Sequence, residues 1–226
     1  MKSSTFKLSV VFNSPILGSQ STKEITSEFI AGKAGLKLPA DEEKSLPDEL
    51  ERGTTVFHRG APNDNVYLLF DYHLKGFLKE AAKVFNGKVA GGVKNLKSKV
   101  SSTVFVTPRR IALVLPKGCT MHDYLERPLR AETAMGPRVA LVRSEMLPEG
   151  TSFSCGIEIL PGDITEEILR ELLDYGYHQG LGQWRNGGWG TFRYTLVSED
   201  AEEAAPLALP VVTRSKNGRK KLKALA

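Results

Sequence analysis

Gly180-Leu181-Gly182-Gln183-Trp184-Arg185-Asn186-Gly187-Gly188-Trp189-Gly190 is the stretch around which the rest of the chain arranges itself. Five of its eleven residues are glycine, and both tryptophans of the chain lie among them. A flexible tether would carry Ser rather than indoles. Glycine opens positive φ and lets another backbone come close. Before the loop, Asp163-Ile164-Thr165-Glu166 has the spacing of a capping box with Asp163 as cap. Ile164, Ile168, Leu169, Leu172 and Leu173 then recur at helical spacing. After it, Thr191–Val197 is aromatic and β-branched, as in a strand. The unit reads helix, glycine loop, strand.

Working outward, Phe6–Phe12 alternates as a first strand and Ser19–Ala34 is a helix candidate around Ile25, Phe29 and Ile30. Pro39–Arg52 is acidic and reads as a solvated insertion, residues 39–52. Thr54–His58 and Val66–Phe70 read as strands, with a turn at residues 61–65. Tyr72–Phe85 is a helix with Leu74, Phe77, Leu78, Ala81 and Phe85 inward. Val100–Val106 and Ile111–Leu115 read as strands. Met121–Arg138 lacks a clean period and contains Pro128, Gly136 and Pro137, which predicts a projecting arm or irregular hairpin over residues 119–138. Val139–Val142 resumes as strand, and Thr151–Leu160 leads into the helix before the loop. This order is α+β. It fits a ferredoxin-like or RNA-recognition-motif-like antiparallel sheet, with helices on one face and long insertions, in one domain over residues 1–198.

The 226 residues carry 31 basic and 26 acidic side chains, for a net charge of +5. Six of the basic residues, Arg214, Lys216, Arg219, Lys220, Lys221 and Lys223, fall in a tail running from about residue 199 to 226. Without them the balance is 5 − 6 = −1. Any polyanion site on the body therefore depends on local segregation of charge. Lys75, Lys79 and Lys83 fall four apart, as one stripe on a helix. Between positions 109 and 143 the basic residues are mainly arginine: Arg109, Arg110, Arg127, Arg130, Arg138 and Arg143. Guanidinium groups bind phosphate bidentately and stack on bases.

In the glycine loop, Gly180, Gly182 and Gly187 permit close approach, Gln183 and Arg185 offer hydrogen bonds and charge, and Trp184 offers a stacking surface. Cations, planar groups and bare backbone together are what single-stranded nucleic acid requires. The plainer reading is a glycine-rich hairpin whose indoles plug the core, and for the lysine stripe a solubilising face. Of His58, His73, His122 and His178, none shows a spacing that ties it to a second catalytic group, and Asp64 lies in a turn without a supporting pattern. The chain reads as a binder more than an enzyme, with no metal or cofactor expected. Two cysteines exclude a disulfide framework. No apolar run is long enough to span a bilayer and no secretory segment opens the chain, so the expectation is a cytoplasmic protein away from membranes.

Four pieces in order resemble the RAMP superfamily of CRISPR-associated proteins, in its effector-backbone branch. They are Val66–Lys79 with its Leu74-Lys75-Gly76, Leu129–Gly136, Arg143–Phe153 with its Glu145-Met146-Leu147-Pro148-Glu149-Gly150-Thr151, and the loop Gly180–Gly190. Tyr72 and His73 stand where that family carries small serines, and residues 39–52 have no counterpart. The resemblance implies a ferredoxin-like protein that binds single-stranded RNA resembling a CRISPR guide, stacks side by side along it, and meets other effector subunits. Some single-subunit relatives in the superfamily cleave RNA with histidine, so an endoribonuclease is the alternative; a protein-binding module without nucleic acid is another.

Overall fold

The computed structural model describes residues 3–21, 54–60, 66–119, 123–133 and 136–199, and their side chains except at 129–133 and 137–140. The acidic stretch at 39–52, residues 22–34 of the helix candidate, the turn at 61–65 and the tail beyond 199 lie outside these.

Four strands make the main sheet: β1 (Ser4–Phe12), β7 (Val104–Thr107), β11 (Ser152–Ile159) and β12 (Phe192–Ser198), in the order β12-β1-β11-β7 and antiparallel throughout. Period-two alternation puts Phe6, Leu8, Val10 and Phe12 of β1 on the same buried side as Phe153, Ile157 and Ile159 of β11 and Phe192 and Leu196 of β12. Helix α1 (Asp71–Val84) lies on that side through Leu74, Phe77, Leu78 and Ala81. So does α2 (Leu96–Thr103) through Leu96 and Val100, and α3 (Glu166–Asp174) through Ile168, Leu169, Leu172 and Leu173. With α1 between β1 and β7 and α3 between β11 and β12, the chain follows the β-α-β-β-α-β path of a ferredoxin-like fold. The opposite face, among the described residues, carries Lys7, Ser9, Ser154, Glu158, Arg193 and Thr195.

Two further sheets are built from the insertions. Strands β2 (Ile16–Leu17), β3 (Gln20–Ser21), β4 (Thr54–Val56), β9 (Asp123–Thr133) and β10 (Gly136–Leu147) form one, and β5 (His58–Gly60), β6 (Val66–Phe70) and β8 (Arg110–Ala112) the other. The pairing of β4 with β10 is parallel, an exception to the antiparallel expectation.

Several local readings need correction. The arm is a regular hairpin, in which β9 and β10 stay in register from Gly136↔Thr133 to Met146↔Asp123. Pro128 is tolerated because β9 is an edge strand. Thr54–His58 is two strands, because the chain leaves one sheet for the other at Phe57. Residues 100–103 are helical, since Leu96 and Val100 bury one helical face beneath the sheet. Gln20–Ser21 is strand where a helix was expected to begin. The cap of α3 is Thr165, whose side chain accepts the Ile168 N–H, while Asp163 pairs with Lys99 at 2.8 Å.

Candidate nucleic-acid interface

The glycine loop is anchored by Leu181, which is buried. Its N–H donates to the Gly190 carbonyl at 2.9 Å, the Gly190 N–H donates to Pro15 at 2.9 Å, and the Gln183 N–H to Leu17 at 3.2 Å. The glycines serve this closure. A Cβ on Gly180 would stand 2.1 Å from the Gly190 carbonyl carbon, and one on Gly182, at φ +87°, 2.6 Å from the Leu17 oxygen. On Gly187 it would meet the Trp184 indole at 2.9 Å. What approaches Gly180 and Gly182 in this structure is the protein's own backbone, and what approaches Gly187 is the Trp184 indole.

The loop's polar side chains are also committed. The Gln183 Oε1 accepts from Thr55 Oγ1 at 2.7 Å and Ser144 Oγ at 2.8 Å, tying the loop to β4 and β10. Arg185 pairs with Glu80 of α1 at 2.6 Å, and Gln179 bridges Glu80 and Asn186. Trp184 sits in the left-handed region at φ +53° and is 43% exposed. Such a conformation costs a non-glycine residue about 1–3 kcal/mol and persists only where its surroundings impose it.

Those surroundings include Arg127 of β9. Its guanidinium carbon lies 4.3 Å from the centre of the Trp184 ring. Arg127 is only 6% exposed, and its Nε and Nη1 have no hydrogen-bond partner among the described residues. Burial pulls its pKa down from the ordinary value, yet an arginine stays charged. Nearby carboxylates, among the described residues, are held by other arginines. Glu126 lies 3.5 Å from Arg143, which also stacks over Tyr124 at 4.0 Å. Fully buried Glu145 accepts the Phe57 N–H at 2.8 Å and pairs with Arg59, whose guanidinium lies 3.9 Å over Tyr67. Strand alternation separates the two hairpin arginines: Arg127 faces the glycine loop with Ser144, and Arg143 faces the other way with Glu145.

The remaining sequence-predicted residues are spread out. Lys75 is half-buried, donates to the Val104 carbonyl and lies 4.8 Å over Phe105; burial, then Lys79, lowers its pKa. The lysine stripe thus divides, with Lys79 half-buried and Lys83 exposed. Arg109 and Arg110 are exposed at the start of β8, where the Arg109 carbonyl accepts the Asp71 N–H at 3.0 Å. The side chains of Arg130 and Arg138 lie outside the described ones. Beside α1, His73 accepts the Phe70 N–H on Nδ1 at 3.1 Å, so the neutral ring carries its proton on Nε2, 3.3 Å from the Ser19 hydroxyl. His58 packs edge-on against Phe70. Burial lowers both histidines. Asp64 and His122 fall outside the described residues. Glu145, Ser144, Thr55, Tyr124 and Trp189 were not singled out as site residues from sequence. Trp189 stacks on Trp184 within the loop, and the roles of the others depend on partners far away in the chain.

Among the described residues no group of three or more His, Cys, Asp or Glu side chains could hold a metal, and no helix is long and apolar enough to cross a membrane. No protein-family model matches the chain, and no curated protein matches it. Among solved structures, a chain in the cryo-EM structure of the Type III-B Cmr-beta bound to cognate target RNA aligns with a TM-score of 0.48 and 13% identity, covering 87% of this chain and 61% of that one. This chain thus spans about three fifths of that chain's length. A chain in a Type IV-B CRISPR complex aligns with a TM-score of 0.42 and 12% identity, covering 96% and 95%. At such distances the function has to be argued from the residues.

Proposed function

We propose that this chain binds single-stranded nucleic acid, with RNA as the preferred strand, where the base of the β9–β10 hairpin meets the glycine loop. The observation that carries this reading is Arg127. It is a buried cation whose Nε and Nη1 have no partner among the described residues, while Arg185 of the same loop and Arg59 and Arg143 on the other side of the hairpin each have a glutamate, Arg143 only at 3.5 Å with its Nε likewise without a hydrogen bond. A buried charge without a partner is expensive, and an anion is what compensates it. Arg109, Arg110 and Lys83 are further exposed cations, spread over other elements, whose contribution would add to the salt dependence of binding. RNA, a guide-like strand and copies lying side by side come from the four ordered pieces that resemble the effector-backbone branch of the RAMP superfamily.

The test is fluorescence anisotropy of an end-labelled single-stranded RNA with the purified full chain, preceded by its absorbance ratio at 260 and 280 nm. Saturable binding that weakens steeply with salt supports the reading. A protein that leaves the RNA tumbling freely at low salt removes it, and one that fragments the RNA moves the chain to the endoribonuclease alternative.

A further inference from the structure

We infer that, within the proposed binding of a strand, the glycine loop engages a phosphate through Arg127 and does not stack bases on its tryptophans. This deepens the proposed function and rests on it. A base needs an open π-face, and the Trp184 ring is already in use. The Gly187 backbone lies against it, so closely that a Cβ there would come within 2.9 Å of the indole. The Arg127 guanidinium lies over it at 4.3 Å. Trp189 runs nearly parallel, at 17° with centres 6.1 Å apart. Three groups thus compete with a base for the faces of Trp184.

The same contacts give Trp184 another task. It is a shelf that carries the guanidinium, and the strained backbone at φ +53° is held so that the shelf points at β9. A guanidinium lying over an indole keeps its in-plane N–H groups free for a second partner. The Arg127 Nε and Nη1 have no partner among the described residues and are closed off from solvent, so the phosphodiester oxygen that a strand presents at every residue reaches them by displacing a neighbouring side chain. Arg127 is therefore the phosphate-docking residue and Trp184 a positioning residue for it.

Both tryptophans of the chain are in this loop, so intrinsic tryptophan emission reports on the site alone. The experiment compares a single-stranded oligonucleotide with one of equal length containing abasic positions, following anisotropy and tryptophan emission together, with inorganic tripolyphosphate as competitor. The expected result is little quenching, an abasic strand bound within about threefold of the intact one, and displacement of both by tripolyphosphate. Arg127→Met should weaken both strands roughly 10- to 100-fold and lower the salt slope by about one. It should leave the melting temperature unchanged or higher, since an uncompensated buried charge is removed. Arg127→Lys, which keeps charge without the planar fork, should fall between.

Strong quenching, with each abasic position lowering affinity by roughly 5- to 150-fold as lost stacking would, overturns the inference and leaves the proposed function standing. So does an Arg127→Met protein that melts far below wild type and binds only in proportion to its folded fraction. A wild-type protein that binds neither strand removes the proposed function and the inference with it.

Discussion

At His73 one proton decides whether the first turn of α1 keeps its cap. The Phe70 N–H is a donor aimed at Nδ1, so a doubly protonated ring would set donor against donor and place positive charge at a helix N-terminus. Burial is the main cause that lowers the His73 pKa below 6.5, followed by the ring of His58, with the Phe70 backbone and then the Asp71 carboxylate pulling the other way. A lowered folded-state pKa means that the unfolded chain takes up the proton first as pH falls. Stability from this residue is thus complete above about pH 6.5 and declines as pH drops through the folded pKa, by at most about 1.4 kcal/mol per pH unit. Urea midpoints measured down to mildly acidic pH should fall in the wild type. They should fall less in His73→Gln, whose amide still accepts the Phe70 N–H; an unaltered slope in that variant would show that His73 is not the titrating group. The loop glycines allow a second comparison. Gly188 and Gly190 both have positive φ, but a Cβ on Gly188 meets nothing within 4 Å whereas one on Gly190 lies 1.9 Å from the Leu181 oxygen. Gly188→Ala should cost about 1 kcal/mol of strain, and Gly190→Ala more than about 3 kcal/mol as the Leu181 anchor gives way. Equal losses in chemical denaturation would mean that close approach is not what Gly190 provides.

The element on which the insertions depend is the base of the β9–β10 hairpin. Fully buried Glu145 on β10 holds Phe57 and Arg59, where the chain crosses from the second sheet to the third, and on the opposite side of the same strand Ser144 holds Thr55 and Gln183. Glu145→Ala would strand the Arg59 charge beside Tyr67 and leave the Phe57 N–H unpaired. A loss of about 3–5 kcal/mol in urea unfolding is expected. A loss within about 1 kcal/mol would reduce the pair to the rank of a surface ion pair. Elements with one buried face were legible from sequence: alternation in β1, β11 and β12 and the apolar stripes of α1 and α3 follow from local chemistry. Helix α2 was not, because β-branched Val100, Val104 and Val106 read as strand, although Val93, Leu96 and Val100 already stand at helical spacing. The hairpin was legible only in part, since its regularity comes from cross-strand pairing and not from a period within either strand. At the site, the glycines announced a close approach but not its source. The approaching backbone is the loop's own at Gly180 and Gly190 and that of Leu17, far away in sequence, at Gly182. Likewise, no local pattern distinguishes Arg127, which lacks a carboxylate, from Arg185, which has one.

For the whole molecule, the proposed affinity for a polyanion has two separable sources. One is the proposed site at Arg127 with the exposed Arg109 and Arg110. The other is the run from Arg214 to Lys223, whose six cations turn a chain of net charge 5 − 6 = −1 into one of +5. A cation that joins a strand releases condensed counterions wherever it sits, so the salt slope counts contacts and the affinity at fixed salt sums them. Deleting residues 214–226 should therefore flatten the slope of log affinity against log salt by up to about four for a single strand, with the melting temperature unchanged. It should lower intact and abasic strands alike, and leave the effect of Arg127→Met on binding intact if the two contributions are independent and add. If the truncated chain binds with the full slope, the tail does not touch the strand. If truncation erases the difference between wild type and Arg127→Met, the two sources are one, and the tail delivers the strand to the hairpin rather than holding it independently.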